Sequence, residues 1–279
     1  MGLGDRLKEA DRRARQKVNE RNWTRQGLTS MRAAIAGTGY APAAAAGLGS
    51  RFLRRMGGLI LLLPCAITTV TLFQRVTDPN FAEHFWRTDA FIYFAIGFIL
   101  HAGWFFTRLF QNLFLYFYVL GHELTHAVFV YVCLGRVSGF RVSLDGGHVV
   151  TNKSNLLIAL SPYFIPFWSM VGLGLTALVF HFYPVSWQDR FVFTLLGGTW
   201  SFHLLWTLWI IPRDQPDLKE NGRFLSLTII YLANVVLLSA LLCLTPILSW
   251  RDFVYNWVNN GLELASPLYH RLESLLSLG

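Results

Sequence analysis

Two histidines four residues apart, with a glutamate directly after the first, mark where this chain could do chemistry. Gly121-His122-Glu123-Leu124-Thr125-His126 lies in an apolar run from about residue 112 to 134. On a helix that spacing stacks both imidazoles on one face, one turn apart, with the carboxylate beside them. Two neutral imidazoles at i and i+4 supply two of the three protein ligands that a catalytic zinc ion takes, and Glu123 is placed as the base for a water on the ion. The plain alternative is a pair of packed, hydrogen-bonded helix histidines. Burying three ionisable groups together with no metal leaves them poorly satisfied, which weighs against it.

A third ligand must come from elsewhere. Asp217 is the expected one, Asp214 the next, and His203 could reach inward from its own apolar span. Asp217 also has a purely structural reading: Asp217-Leu-Lys-Glu220 resembles a helix start, with Asp217 as cap and Glu220 at the third helical position. His101 stands alone in an apolar stretch and reads as a helix-packing or headgroup-level histidine. His148 follows a turn and either sits near the site or is a polar loop residue.

These groups must be held by elements compatible with a membrane. Of 279 residues, 53% are hydrophobic and only 14% charged, too apolar for a soluble domain of this size. The expected fold is an all-α polytopic membrane protein with five to six transmembrane helices and a short β-hairpin after the motif helix. The formal charge of +8 does not point to nucleic acid. Half of the 24 Lys and Arg residues precede residue 56, as in a basic arm that orients the chain with its N-terminus in the cytoplasm. Three parts follow: an arm and linker over 1–55, a membrane-embedded region over 56–247, and an amphipathic interfacial helix over 248–279. No cleavable signal peptide is expected, and Arg6 stands where a myristoylation signal would place Ser or Thr. Cys65, Cys133 and Cys243 fall in separate apolar runs and read as reduced core residues.

Within the membrane region a first span covers about 57–74, flanked by Arg51, Arg54 and Arg55 and kinked at Pro64. The stretch from about 90 to 134 is long enough for two spans, broken at Arg108. Alternating residues around Asp145-Gly146-Gly147 give the hairpin, its strands against the motif helix. Residues 155–183, with Ser161-Pro162 and Pro166, form a kinked or broken span. Further spans cover about 191–211 and 224–245. The loops at 135–155 and 212–224 carry three Lys or Arg each, and the loop between their spans carries one. That bias turns the site toward the cytoplasm. It conflicts with three full crossings before residue 135, so part of 90–134 is expected to be re-entrant or to lie on the surface.

The membrane-embedded His-Glu-Leu-Thr-His, the hairpin with Gly146-Gly147, the Ser161-Pro162 span and a later acidic residue resemble the site-2 protease family of intramembrane zinc metalloproteases, in particular its small bacterial relatives. The likeness covers about residues 110–245, and only the zinc motif is highly specific. It implies a bacterial inner-membrane protein whose zinc is held by His122, His126 and a distant aspartate, with Glu123 catalytic. The family's Asn-Pro stretch leading to Asp-Gly is absent here. The substrate implied is a transmembrane or membrane-proximal segment of another protein, unwound locally and held by strand addition to the hairpin. Two other functions fit parts of the pattern: an inactive zinc-binding membrane scaffold, and a transporter using the intramembrane His and Glu for ions or protons.

Overall fold

In the structure, a computed structural model, residues 47–144, 146–213, 215–243 and 248–276 are described, with side chains to residue 266. The basic arm before residue 47 and Asp214 therefore lie outside the described residues. Among the described residues the chain is mostly helical with one small antiparallel sheet. Five of the described helices are long and apolar enough to cross a membrane, or six if a bent pair counts as one span.

The first helix, α1, runs Leu48–Val76, starting earlier than the apolar run suggests. Arg51, Arg54 and Arg55 lie inside its first turns instead of flanking it, because arginine is a good helix former and hydropathy marks apolar depth, not helix ends. α1 continues through Pro64 unbroken. The polar segment that follows holds a short helix, α2 (Pro79–Phe85), capped by Asp78, whose carboxylate accepts from the amides of Asn80 and Phe81. Then come α3 (Asp89–Thr107) and α4 (Gln111–Val132), the motif helix. Arg108 and Phe110 between them both adopt left-handed backbone, at φ 58° and 54°, which turns the chain sharply.

The hairpin follows as β1 (Val137–Ser143) and β2 (Gly146–Thr151), with Arg141 opposite His148 and Ser143 opposite Gly146. Both strands pack on α4. A short α5 (Leu156–Leu160) and a 3₁₀ turn at Ser161–Tyr163 lead, through a 73° bend, into α6 (Phe167–Phe182). Pro162 and Pro166 sit at that bend, as the sequence predicts. The rest is α7 (Gln188–Ile210), the five-residue α8 (Pro216–Glu220), α9 (Arg223–Cys243) and α10 (Trp250–Leu276). α10 is fixed to α1 by side chains: Trp257 donates to Thr68 and Asn260 to Thr71 and Gln74.

Contacts along the helices fix their directions. α3 runs parallel to α7: Asp89 lies 3.8 Å from Arg190 at their starts, His101 meets Ser201 midway, and Phe105 meets Trp206 near their ends. Gly97 and Gly197 let these two backbones touch, since a Cβ on either would fall 1.9 Å from a carbonyl oxygen of the other helix. α1 runs parallel to α9, through Gly57 against Leu225 and Thr69 bonded to Tyr231. α6 is antiparallel to α7, with Ser169 bonded to Thr199 and Phe180 against Phe191.

One end of the molecule gathers the start of α1, the end of α4, the hairpin foot and α8. Arg54 donates to the Glu220 carbonyl, Ser154 to the Glu220 carboxylate, and Lys153 to the Cys133 carbonyl. α3 and α7 both run toward this end. α4 begins three residues after α3 and also finishes there, so it is not an antiparallel return along α3. Of the described helices before residue 135, α1, α3 and α4 are long, but only α1 and α3 make opposed passes through the bundle.

Candidate metal centre

α4 points His122 and His126 toward α8 and the 3₁₀ turn. Their Nε2 atoms are 3.2 Å apart. Asp217, brought from 91 residues further along the chain, places Oδ2 at 3.5 Å from His122 Nε2 and 3.6 Å from His126 Nε2. His126 and Asp217 are buried and His122 partly so, and they form the one group of three metal-ligating side chains found among the described residues.

α8 is what aims the carboxylate. Its cap is Gln215, with Pro216 at the first helical position, so Asp217 is not the cap that its sequence context allows. Its side chain turns inward, 1% exposed, where Tyr163 donates a hydrogen bond to Oδ2 at 3.1 Å. Burial acts to raise the Asp217 carboxyl; hydrogen bonds with His122 and His126 outweigh it and hold the group well below the usual carboxylate range. It stays a carboxylate, the form in which it can ligate.

The surroundings orient the imidazoles. His126 Nδ1 donates to the Ile158 carbonyl at 2.8 Å, which leaves its Nε2 lone pair facing the cluster. The His122 ring stands edge-on to Tyr163, and the Tyr163 carbonyl accepts from Asn234 on α9. Glu123 is 3% exposed, and its Oε2 has no hydrogen-bond partner. Gly147 of β2 closes over it: a Cβ there would fall 2.5 Å from Glu123 Cγ, so only glycine lets the hairpin come this close. Beside His122 is a cavity of about 20 Å³, lined also by Tyr118, Trp168, Thr199 and His203, large enough for one water.

The donor set fits zinc on its own geometry. Tetrahedral zinc with bonds near 2.0–2.2 Å holds ligand atoms about 3.3–3.6 Å apart. The three edges here are 3.2, 3.5 and 3.6 Å. Asp217 Oδ1 and His122 Nδ1 are buried with no hydrogen-bond partner, but so are His101 Nε2 and His203 Nε2 outside the group, so the fit rests on the three edges.

Of the residues singled out in the sequence, His122, His126 and Asp217 converge with Glu123 beside them. His203 lines the adjoining cavity from α7 and stays out of the group of three. His101 is a packing histidine, its Nδ1 on Ser201 Oγ at 3.1 Å. His148 is partly exposed, alternating away from the buried Gly147 and Val149. Tyr163, Asn234 and the Ile158 carbonyl were not foreseen. The only trace of Tyr163 in the sequence is its place directly after Ser161-Pro162, where a broken span offers polar groups to a neighbour.

No family model matches the chain, and no curated protein or solved structure matches it either.

Proposed function

We propose that this chain is an integral membrane zinc metallopeptidase of site-2 protease type, cleaving transmembrane or membrane-proximal segments of other proteins. One observation carries the reading: a carboxylate far away in sequence closes on the two motif histidines at zinc-ligand spacing. Three protein ligands leave a tetrahedral ion one open position, the arrangement of catalytic sites; a structural site takes a fourth. His122, His126 and Asp217 would hold the ion, and zinc there supplies Lewis acidity toward a water and toward a peptide carbonyl.

Glu123 is the proton carrier. Its carboxylate takes a proton from the attacking water and returns one to the leaving amine nitrogen. Gly147 and the hairpin hold that carboxylate in place, and an extended substrate segment adds to an open strand edge beside it. Tyr163 steadies Asp217 and Ile158 fixes the His126 ring. A groove of about 510 Å³ between α3, α4, α6 and α7 shares Trp168, Thr199 and Phe202 with the cavity at His122, which gives an apolar segment a lateral approach.

Membrane insertion is supported by large apolar side chains on outward faces. Ile60, Ile99, Leu175 and Leu208 are each more than half exposed. Helix directions favour one count of crossings. On this reading α1, α3, α6 with the bent segment before it, α7 and α9 cross, while α4, although long and apolar enough to span, stays with the hairpin and α8 at the end where α1 begins. With the basic arm in the cytoplasm of a bacterial inner membrane, the site opens to that side.

The test is Glu123→Gln in purified protein. Zinc content should match the parent, and cleavage of a membrane-segment substrate should fall by about 10²–10⁴-fold. Undiminished cleavage would remove Glu123 from the chemistry.

A further inference from the structure

The two motif histidines are not held alike. His126 is fixed through Nδ1 by the Ile158 carbonyl, whereas His122 Nδ1 is buried with no hydrogen-bond partner. An imidazole that turns Nε2 to a metal carries its proton on Nδ1, and an acceptor for that N–H orients the ring and strengthens it as a ligand. His203 on α7 is 7% exposed, and its Nε2 also has no partner. Both rings line the cavity of about 20 Å³ between α4, α7 and the bend before α6. Helical spacing places them. Tyr118 and His122 stand four apart on α4, Thr199 and His203 four apart on α7, and all four line that cavity. Its volume suits a single water, and a buried water needs two to four polar neighbours. Two ring nitrogens and the hydroxyls of Tyr118 and Thr199 supply them. His101 lacks this arrangement: its Nε2 is unpaired too, but it lines an apolar groove that does not include His122.

We propose that His203 is a positioning residue for the metal centre, acting on His122 through one water held in this cavity. The water accepts from His122 Nδ1–H and donates to His203 Nε2; His203 keeps its own proton on Nδ1. His122 thereby gains the outer support that Ile158 gives His126, and α7 contributes to metal affinity without supplying a ligand. The proposal rests on the zinc-binding part of the reading above and not on peptide cleavage.

The full chain in mild detergent tests it by chelator competition for zinc. His203→Leu should weaken zinc binding about 10–100-fold. His203→Gln, whose amide oxygen accepts from the water, should recover most of that loss. His101→Leu breaks the hydrogen bond to Ser201 on the same α7 and should leave zinc affinity unmoved. Equal weakening by the two leucine variants would make the effect one of packing and overturn the proposal. Zinc bound by His203→Leu as tightly as by the parent overturns it too, and leaves the metal centre standing. A parent that binds no zinc removes the metal centre itself, and this proposal with it. If His203→Leu does not fold, a high-resolution crystal structure of the zinc-loaded parent decides: a water bonded to both ring nitrogens supports the proposal, and a cavity without one overturns it. No proteolysis is measured, so the peptidase reading can fail separately.

Discussion

His101 and His126 lie on successive long helices, both are buried, and each uses Nδ1 to bond one oxygen, yet only one of them meets an acid. His101 sits in the α3–α7 interface, where glycines bring two backbones together and a single hydroxyl, Ser201, satisfies one ring nitrogen. His126 sits where α4, α5 and α8 meet, and its second nitrogen faces another imidazole and a carboxylate. Burial of a histidine is therefore no sign of a site. What separates the two regions is convergence: donors from distant segments share one point at His126, whereas His101, whose Nε2 is also left unsatisfied, belongs to no such group among the described residues.

The sharpest way to break this contrast is Asp217→Ala. Zinc bound per chain, read by elemental analysis, should fall to background, whereas His101→Asn should bind zinc as the parent does. Equal zinc in Asp217→Ala would make the convergence accidental. A smaller effect, on stability and not on metal, is expected from Gly197→Ala. The new methyl meets the Phe94 carbonyl, and overpacking of this kind costs about 1–3 kcal/mol. Thermal unfolding in detergent should shift down with zinc stoichiometry intact at low temperature. Tyr163→Phe removes one hydrogen bond to Asp217, and losing such a support weakens metal affinity about 10–100-fold. Competition with a chelator would show it, and an unchanged affinity would strip Tyr163 of its positioning role. Smallest is Ser201→Ala, about 1 kcal/mol of stability, with zinc affinity unmoved.

The two regions also differ in how far the sequence exposes them. His122, Glu123 and His126 are legible because a helix converts a spacing of four into a shared face. The hairpin is legible because Asp145-Gly146-Gly147 can turn tightly between alternating residues. Asp217 stands as one of three options, since no local rule relates residues 91 apart. Only the contacts that order α7 after α3 and α6 deliver α8 to the histidines. The direction of α4 is illegible for another reason. Its turn from α3 uses left-handed Arg108 and Phe110, residues that carry none of the glycine or asparagine signal by which such a turn is read. The cap at Gln215 is equally silent, because glutamine is not a favoured capping residue.

The missing methyl at Gly147 couples the hairpin to the motif helix. With strand β2 resting on the Glu123 stem, a load applied to the sheet is transmitted to the acid with no slack between them. If Glu123 carries the proton as proposed, a polypeptide gripped along the hairpin would set the poise of its carboxylate by its own tension, and a loosely held one would leave it misaligned. Selectivity would then be written into turnover more than into affinity.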